Sequence, residues 1–92
     1  MKAHEYLEQA ASEMNDRSKT YDAPQGERSM GKTVTAFNAL TGHELTEEQG
    51  WLFMNVLKMA RSQQGEFRAD CYVDGAAYWS LGGECAAIER RK

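Results

Sequence analysis

Gly26-Glu27-Arg28-Ser29-Met30-Gly31-Lys32-Thr33 spells G-x-x-x-x-G-K-T. That is the pattern of a loop whose backbone N–H groups cradle phosphates, with the lysine on the outer phosphates and the hydroxyl on magnesium. Such a loop needs a buried strand in front of it and a sheet around it. The residues in front are Lys19-Thr20-Tyr21-Asp22-Ala23-Pro24-Gln25, polar and holding the only proline of the chain. They do not form a buried strand, and 92 residues are too few for the sheet. The pattern therefore reads as the start of a helix. Arg28 and Lys32, four residues apart, share one face of that helix. Its unpaired N–H groups and positive dipole end lie at the same place. With Ser29, and with Tyr21 and Asp22 from the preceding stretch, they form a first candidate site suited to a phosphate or to an acidic patch on a partner. The alternative is that Asp22, Glu27 or an acid from another helix neutralises the two cations.

A second constellation pairs Lys58 and Arg61, at i and i+3, with Asp70 and Asp74, at i and i+4. The loop between them is short, so their helices are antiparallel neighbours and the two pairs can meet. They form either a helix-to-helix ion-pair network or a site in which Asp70 and Asp74 supply oxygen ligands to Mg²⁺ and Lys58 and Arg61 contact phosphates. Nucleophilic catalysis has little support, because His4 and His43 are far apart and no Ser/His/Asp or Cys/His grouping can be assembled. Cys71 and Cys85 are separated by fourteen positions of one helix. At a rise of about 1.5 Å per residue that is ~21 Å, beyond disulfide reach. Two free thiols without C-x-x-C or Cys/His spacing fit a reducing cytoplasm and speak against zinc.

These residues must be positioned by helices. Leu7, Ala10, Ala11 and Met14 mark an apolar stripe on a first helix, about Lys2 to Asn15. Asp16 to Gln25 reads as a loop. A second helix, about Glu27 to Leu40, carries Met30, Val34, Phe37 and Leu40/Thr41, and Gly42 fits its C-terminal cap. Thr46 with Gln49 forms a capping box for a third helix. From Trp51 to Ala60 that helix is apolar almost all round, which predicts a core helix buried on most sides, part of it against any second copy. Phe67, in the following loop, is expected to tuck back on the core. A fourth helix, about Asp70 to Arg90, carries Val73, Ala76/Ala77, Leu81, Cys85 and Ile88. No period-2 alternation competes with this pattern, and the fold expected is a single all-α domain over residues 1–92, a compact antiparallel bundle of about four helices. The net charge of −3 excludes a general nucleic-acid binder, whose footprint is a basic face. No run approaches the ~20 apolar residues of a membrane span, and the N-terminus lacks a signal peptide. A core this small makes a homo-oligomer the expectation.

The run Asp16-Arg17…Tyr21-Asp22…Pro24…Gly26-Glu27-Arg28-Ser29-Met30, with Leu57-Lys58-Met59-Ala60-Arg61…Asp70-x-Tyr72-Val73-Asp74-x-x-x-Tyr78, resembles a family of small, largely uncharacterised bacteriophage and prophage proteins. The resemblance covers about residues 5 to 86. It implies a phage origin, a host-cytoplasm location and an all-α fold, and a protein that binds a host component stoichiometrically, such as a CRISPR-type complex or a nucleotide-signalling defence. The partner expected is a host protein or a small nucleotide, with no cofactor. A more distant likeness is to the MazG-like all-α nucleoside triphosphate pyrophosphohydrolases, which bind Mg²⁺ through an E-x-x-E pair and a later E-x-x-D pair. Glu44-Leu45-Thr46-Glu47 has the first spacing; Asp70 with Asp74 has D-x-x-x-D in place of the second. That likeness implies the alternative activity, a Mg²⁺-dependent nucleotide pyrophosphohydrolase with Glu47, Asp70 and Asp74 as metal ligands.

Overall fold

The computed structural model describes residues 1–21 and 29–90. Four helices account for nearly all of them: α1 (Ala3–Tyr21), α2 (Ser29–Thr41), α3 (Glu47–Ser62) and α4 (Ala69–Glu89). They form a compact helical bundle, and the described residues contain no strand. α3 and α4 make the central pair; α1 packs on α4, and α2 on α3. The order across the molecule is therefore α1, α4, α3, α2.

The turn between α2 and α3 follows from local chemistry. Gly42 adopts φ +78° and donates its N–H to the Asn38 carbonyl at 2.8 Å, closing α2. That backbone is left-handed, where a Cβ is strained. The Asn38 side chain then staples the turn: its Nδ2 donates to the Leu45 carbonyl at 3.0 Å, and Leu45 N–H donates to Oδ1 at 2.9 Å. The predicted capping box opens α3. The Gln49 N–H donates to Thr46 Oγ1 at 3.1 Å, and the Thr46 N–H to Gln49 Oε1 at 3.0 Å. Glu47 and Glu48 fill the first turn, where the helix dipole favours acids.

Met30, Val34 and Trp51 form the buried cluster, with Leu45, Met54, Tyr78, Leu81 and Cys85 packed against it. α2 reaches it through Gly50 of α3. A methyl there would overlap the Met30 sulfur and press on Val34 Cγ1 at 2.9 Å. Helix α1 is held by Ala10, which is buried, and by Tyr6, set edge-on against Tyr72 of α4 at 6.1 Å.

Several expectations are corrected by this packing. Asp16 to Tyr21 continue α1 rather than opening a loop. Leu7 is exposed, because the packed face of α1 is turned onto Tyr6, Ala10 and Met14. Phe37 and Leu40 are exposed, since the main helix contact of α2 among the described residues is with α3, through the face of Met30 and Val34. Phe67 is exposed and stacks on Tyr72 rather than entering the core. The largest departure concerns α3. Leu52, Phe53, Val56 and Met59 are all exposed, so the apolar helix is covered on one side and bare on the other.

Candidate functional site

Of the first candidate group, Ser29 and Lys32 lie in the described structure. Asp22 and Arg28 lie outside the described residues, as does the Tyr21 side chain; Tyr21 contributes the last backbone position of α1. Ser29 opens α2, and Lys32 follows one turn later on the same side. With Thr33, Ala36 and Leu40 they make the outer face of the helix, spaced at i, i+3, i+4, i+7 and i+11. All five are exposed. Lys32 makes no ion pair among the described residues.

The other side of the same turn is occupied. The Glu47 carboxylate lies against Gly31, where an added Cβ would sit 2.9 Å from Oε1. Glu47 thus brings a negative charge to the first turn of α2, the position an anionic ligand would seek. The same carboxylate accepts a long hydrogen bond from the Cys85 thiol, Sγ to Oε2 3.8 Å. Burial, reinforced by the Glu47 charge, pushes the Cys85 thiol up to about 11. An uncharged thiol is a poor nucleophile. The glycine of the G-x-x-x-x-G-K-T pattern therefore makes room for an acid of the chain itself.

The second constellation divides. Lys58 Nζ meets Asp74 Oδ2 at 2.8 Å across the α3–α4 contact. This hydrogen bond raises the Lys58 ammonium above its ordinary value, against the opposing effect of its burial. Arg61 and Asp70 do not join the pair. Arg61 lies in the last turn of α3 and Asp70 in the first turn of α4, where each charge opposes the local helix dipole.

Glu47 is far from both aspartates. Because α3 and α4 run antiparallel, the start of α3 meets the end of α4. There Arg90 Nη2 bonds both Glu48 oxygens, at 2.7 and 2.9 Å, and the Glu48 N–H donates to Glu89 Oε1 at 3.4 Å. Asp74 sits beside Lys58, eleven residues further along α3, roughly 16 Å away at helical rise. Glu47, Asp70 and Asp74 are thus not brought together. Among the described residues no three His, Cys, Asp or Glu side chains converge as a metal cage. The Mg²⁺ arrangement drawn from those three residues fails on this geometry, since one ion needs all its oxygens at 2.0–2.6 Å.

The sequence predicts α3 to be buried on most sides, part of it against a second copy; within one chain the side carrying Leu52, Phe53, Val56 and Met59 is bare. No helix among the described residues is long and apolar enough to cross a membrane.

No curated protein matches the chain, and no solved structure does. A family described as "Domain of unknown function (DUF6378)" matches residues 5–86. That span is most of the chain, and the protein belongs to this family.

Proposed function

We propose that this protein acts by binding, stoichiometrically, to a protein of a bacterial host, with the outer face of α2 as the contact surface. The observation that carries the reading is Lys32. It stands exposed on a face of small and hydroxyl side chains, while Lys58 is tied to Asp74. A face with an exposed cation that makes no ion pair among the described residues, beside the small side chains of Ser29, Thr33 and Ala36 and the apolar tip of Leu40, suits an acidic, partly apolar protein surface. A free phosphate suits it less, because Glu47 already brings a negative charge to that helix start. Arg28, Tyr21 and Asp22 are assigned to the same surface from the sequence pattern; Arg28, Asp22 and the Tyr21 side chain lie outside the described residues. The resemblance to phage and prophage proteins supports a role inside the infected host, and the antagonism of a host defence complex is the activity we assign to it.

Two measurements test this. Incubation with a panel of nucleoside triphosphates and Mg²⁺ should release no pyrophosphate. Turnover that disappears in Asp70→Asn and Asp74→Asn would replace binding by catalysis. In capture from host lysate, the wild-type chain should retain one protein in near-stoichiometric amount. Arg28→Glu with Lys32→Glu should lose it while keeping its helical circular dichroism. Retention unchanged by the double substitution would reject the α2 surface.

A further inference from the structure

The outward arc of α3 carries Leu52, Phe53, Val56, Met59 and Ala60. At about 3.6 residues per turn these five positions adjoin one another. None is charged, although Phe53 is 71%, Met59 57% and Val56 51% exposed. A helix evolved to face water on that side carries charged and polar residues there. Beside the arc, the groove between α3 and α4 is open. One cavity of about 360 Å³ is lined by Leu52, Trp79, Gly82, Gly83 and Ala86, and closed at its end by Glu48 and Arg90. Two turns along the same helices, a second of about 280 Å³ lies between Met59, Tyr72 and Gly75. Trp79, 65% exposed, projects at the lip.

We propose that this face joins two copies of the chain in a two-fold dimer. Area is the first argument. A folded monomer of 10.4 kDa is expected to expose about 5,400 Å², whereas this chain exposes 6904 Å². The excess is on the order of 1,500 Å² over the whole chain; on this face Leu52, Phe53, Val56, Met59 and Trp79 are all exposed, where a stable interface takes about 800 Å² from each partner. Charge is the second. Two copies at −3 each repel unless they meet on neutral ground, and the arc is neutral. The charges at the groove's end, Glu48 and Arg90, already satisfy each other. Such a face offers nothing to a nucleic acid or an anionic lipid surface. Shape is the third. A two-fold contact must be self-complementary, and this face holds both projecting side chains, Phe53 and Trp79, and a glycine-lined groove to receive them. Gly83 needs that explanation, since a Cβ there would meet nothing within 4 Å in the protomer and glycine costs a helix about 1 kcal/mol against alanine.

The inference does not rest on the reading of α2, and its test uses mass rather than host binding. Sedimentation velocity over a range of concentrations should give twice the chain mass for the wild type. Val56→Glu, which puts a charge at the centre of the arc, should give a monomer with unchanged helical circular dichroism. Gly83→Leu should do the same by filling the groove, with helicity kept because a Cβ at Gly83 meets nothing within 4 Å in the protomer and the position borders the cavity of about 360 Å³. A wild-type monomer at every concentration overturns the proposal and leaves the face to a partner of a different kind. A dimer whose mass survives both substitutions overturns it as well.

Discussion

Cys85 shows how one side chain settles a chemical question at the residue scale. Its position on a long helix said only that it could not pair with Cys71. Its neighbours decide the rest: the thiol is held by burial and by Glu47, both of which resist the thiolate. Alkylation by iodoacetamide near neutral pH should therefore be much slower in the folded chain than in urea, read by mass spectrometry. The linkage to stability has a definite sign. The folded thiol titrates near 11 instead of its ordinary 9.0, so between those values the native state holds a proton that the unfolded chain has released. Stability is unaffected below about pH 9 and falls as pH rises towards 11. Lys58, also raised, adds a loss in the same direction. In Cys85→Ala the melting temperature should fall less steeply over that interval than in the wild type; equal slopes would deny Cys85 its part.

At the scale of elements, the chain's glycines separate two kinds of contact. Gly50 is buried where α2 crosses α3, against Met30 and Val34. Gly83 faces open space in the same bundle. Gly50→Ala gains helix propensity but forces α2 away from α3, and overpacking of this kind costs about 1–3 kcal/mol. Since α2 makes its main helix contact with α3, the loss should show first as faster amide exchange in α2, with α4 still protected. Urea unfolding with the midpoint lowered in Gly50→Ala checks the magnitude; a midpoint equal to the wild type's would mean that Met30 moves aside without cost. The capping box belongs to the same scale. Thr46 and Gln49 sit together in sequence, and the interaction they predict forms as predicted, because a cap depends on four consecutive residues and not on the fold.

The whole molecule has a thin interior. The buried apolar side chains are few, and no large side chain among the described residues is completely enclosed. A protomer of this kind gains stability from association, since a partner that binds only the folded form shifts the equilibrium by mass action. The wild-type melting temperature should rise with protein concentration, and that of Val56→Glu should not. A concentration-independent wild type would place all of the stability inside one chain. The two proposed surfaces are compatible at this scale. Gly50 and the α2 contact lie well round α3 from the Leu52–Val56–Met59 arc, so a dimer through that arc leaves both α2 outer faces turned outward.

The sequence by itself determined the elements and their punctuation. Four helices, the Thr46 start of α3 and the Gly42 end of α2 follow from spacing, because each depends on neighbours along the chain; short loops bring Lys58 and Arg61 towards Asp70 and Asp74, and the tertiary structure pairs Lys58 with Asp74. It also excluded a nucleotide loop at Gly26–Thr33, where no strand or sheet could support one. Only the tertiary structure decided which apolar side chains are covered. Leu7, Phe37, Leu40, Phe53 and Phe67 have the same pattern as core residues. Whether each meets a neighbour depends on how many helices surround it, and no periodicity records that number. The same holds for Glu47, Asp70 and Asp74. Their types could hold a metal, and the antiparallel pairing of α3 with α4 puts them at opposite ends of the bundle.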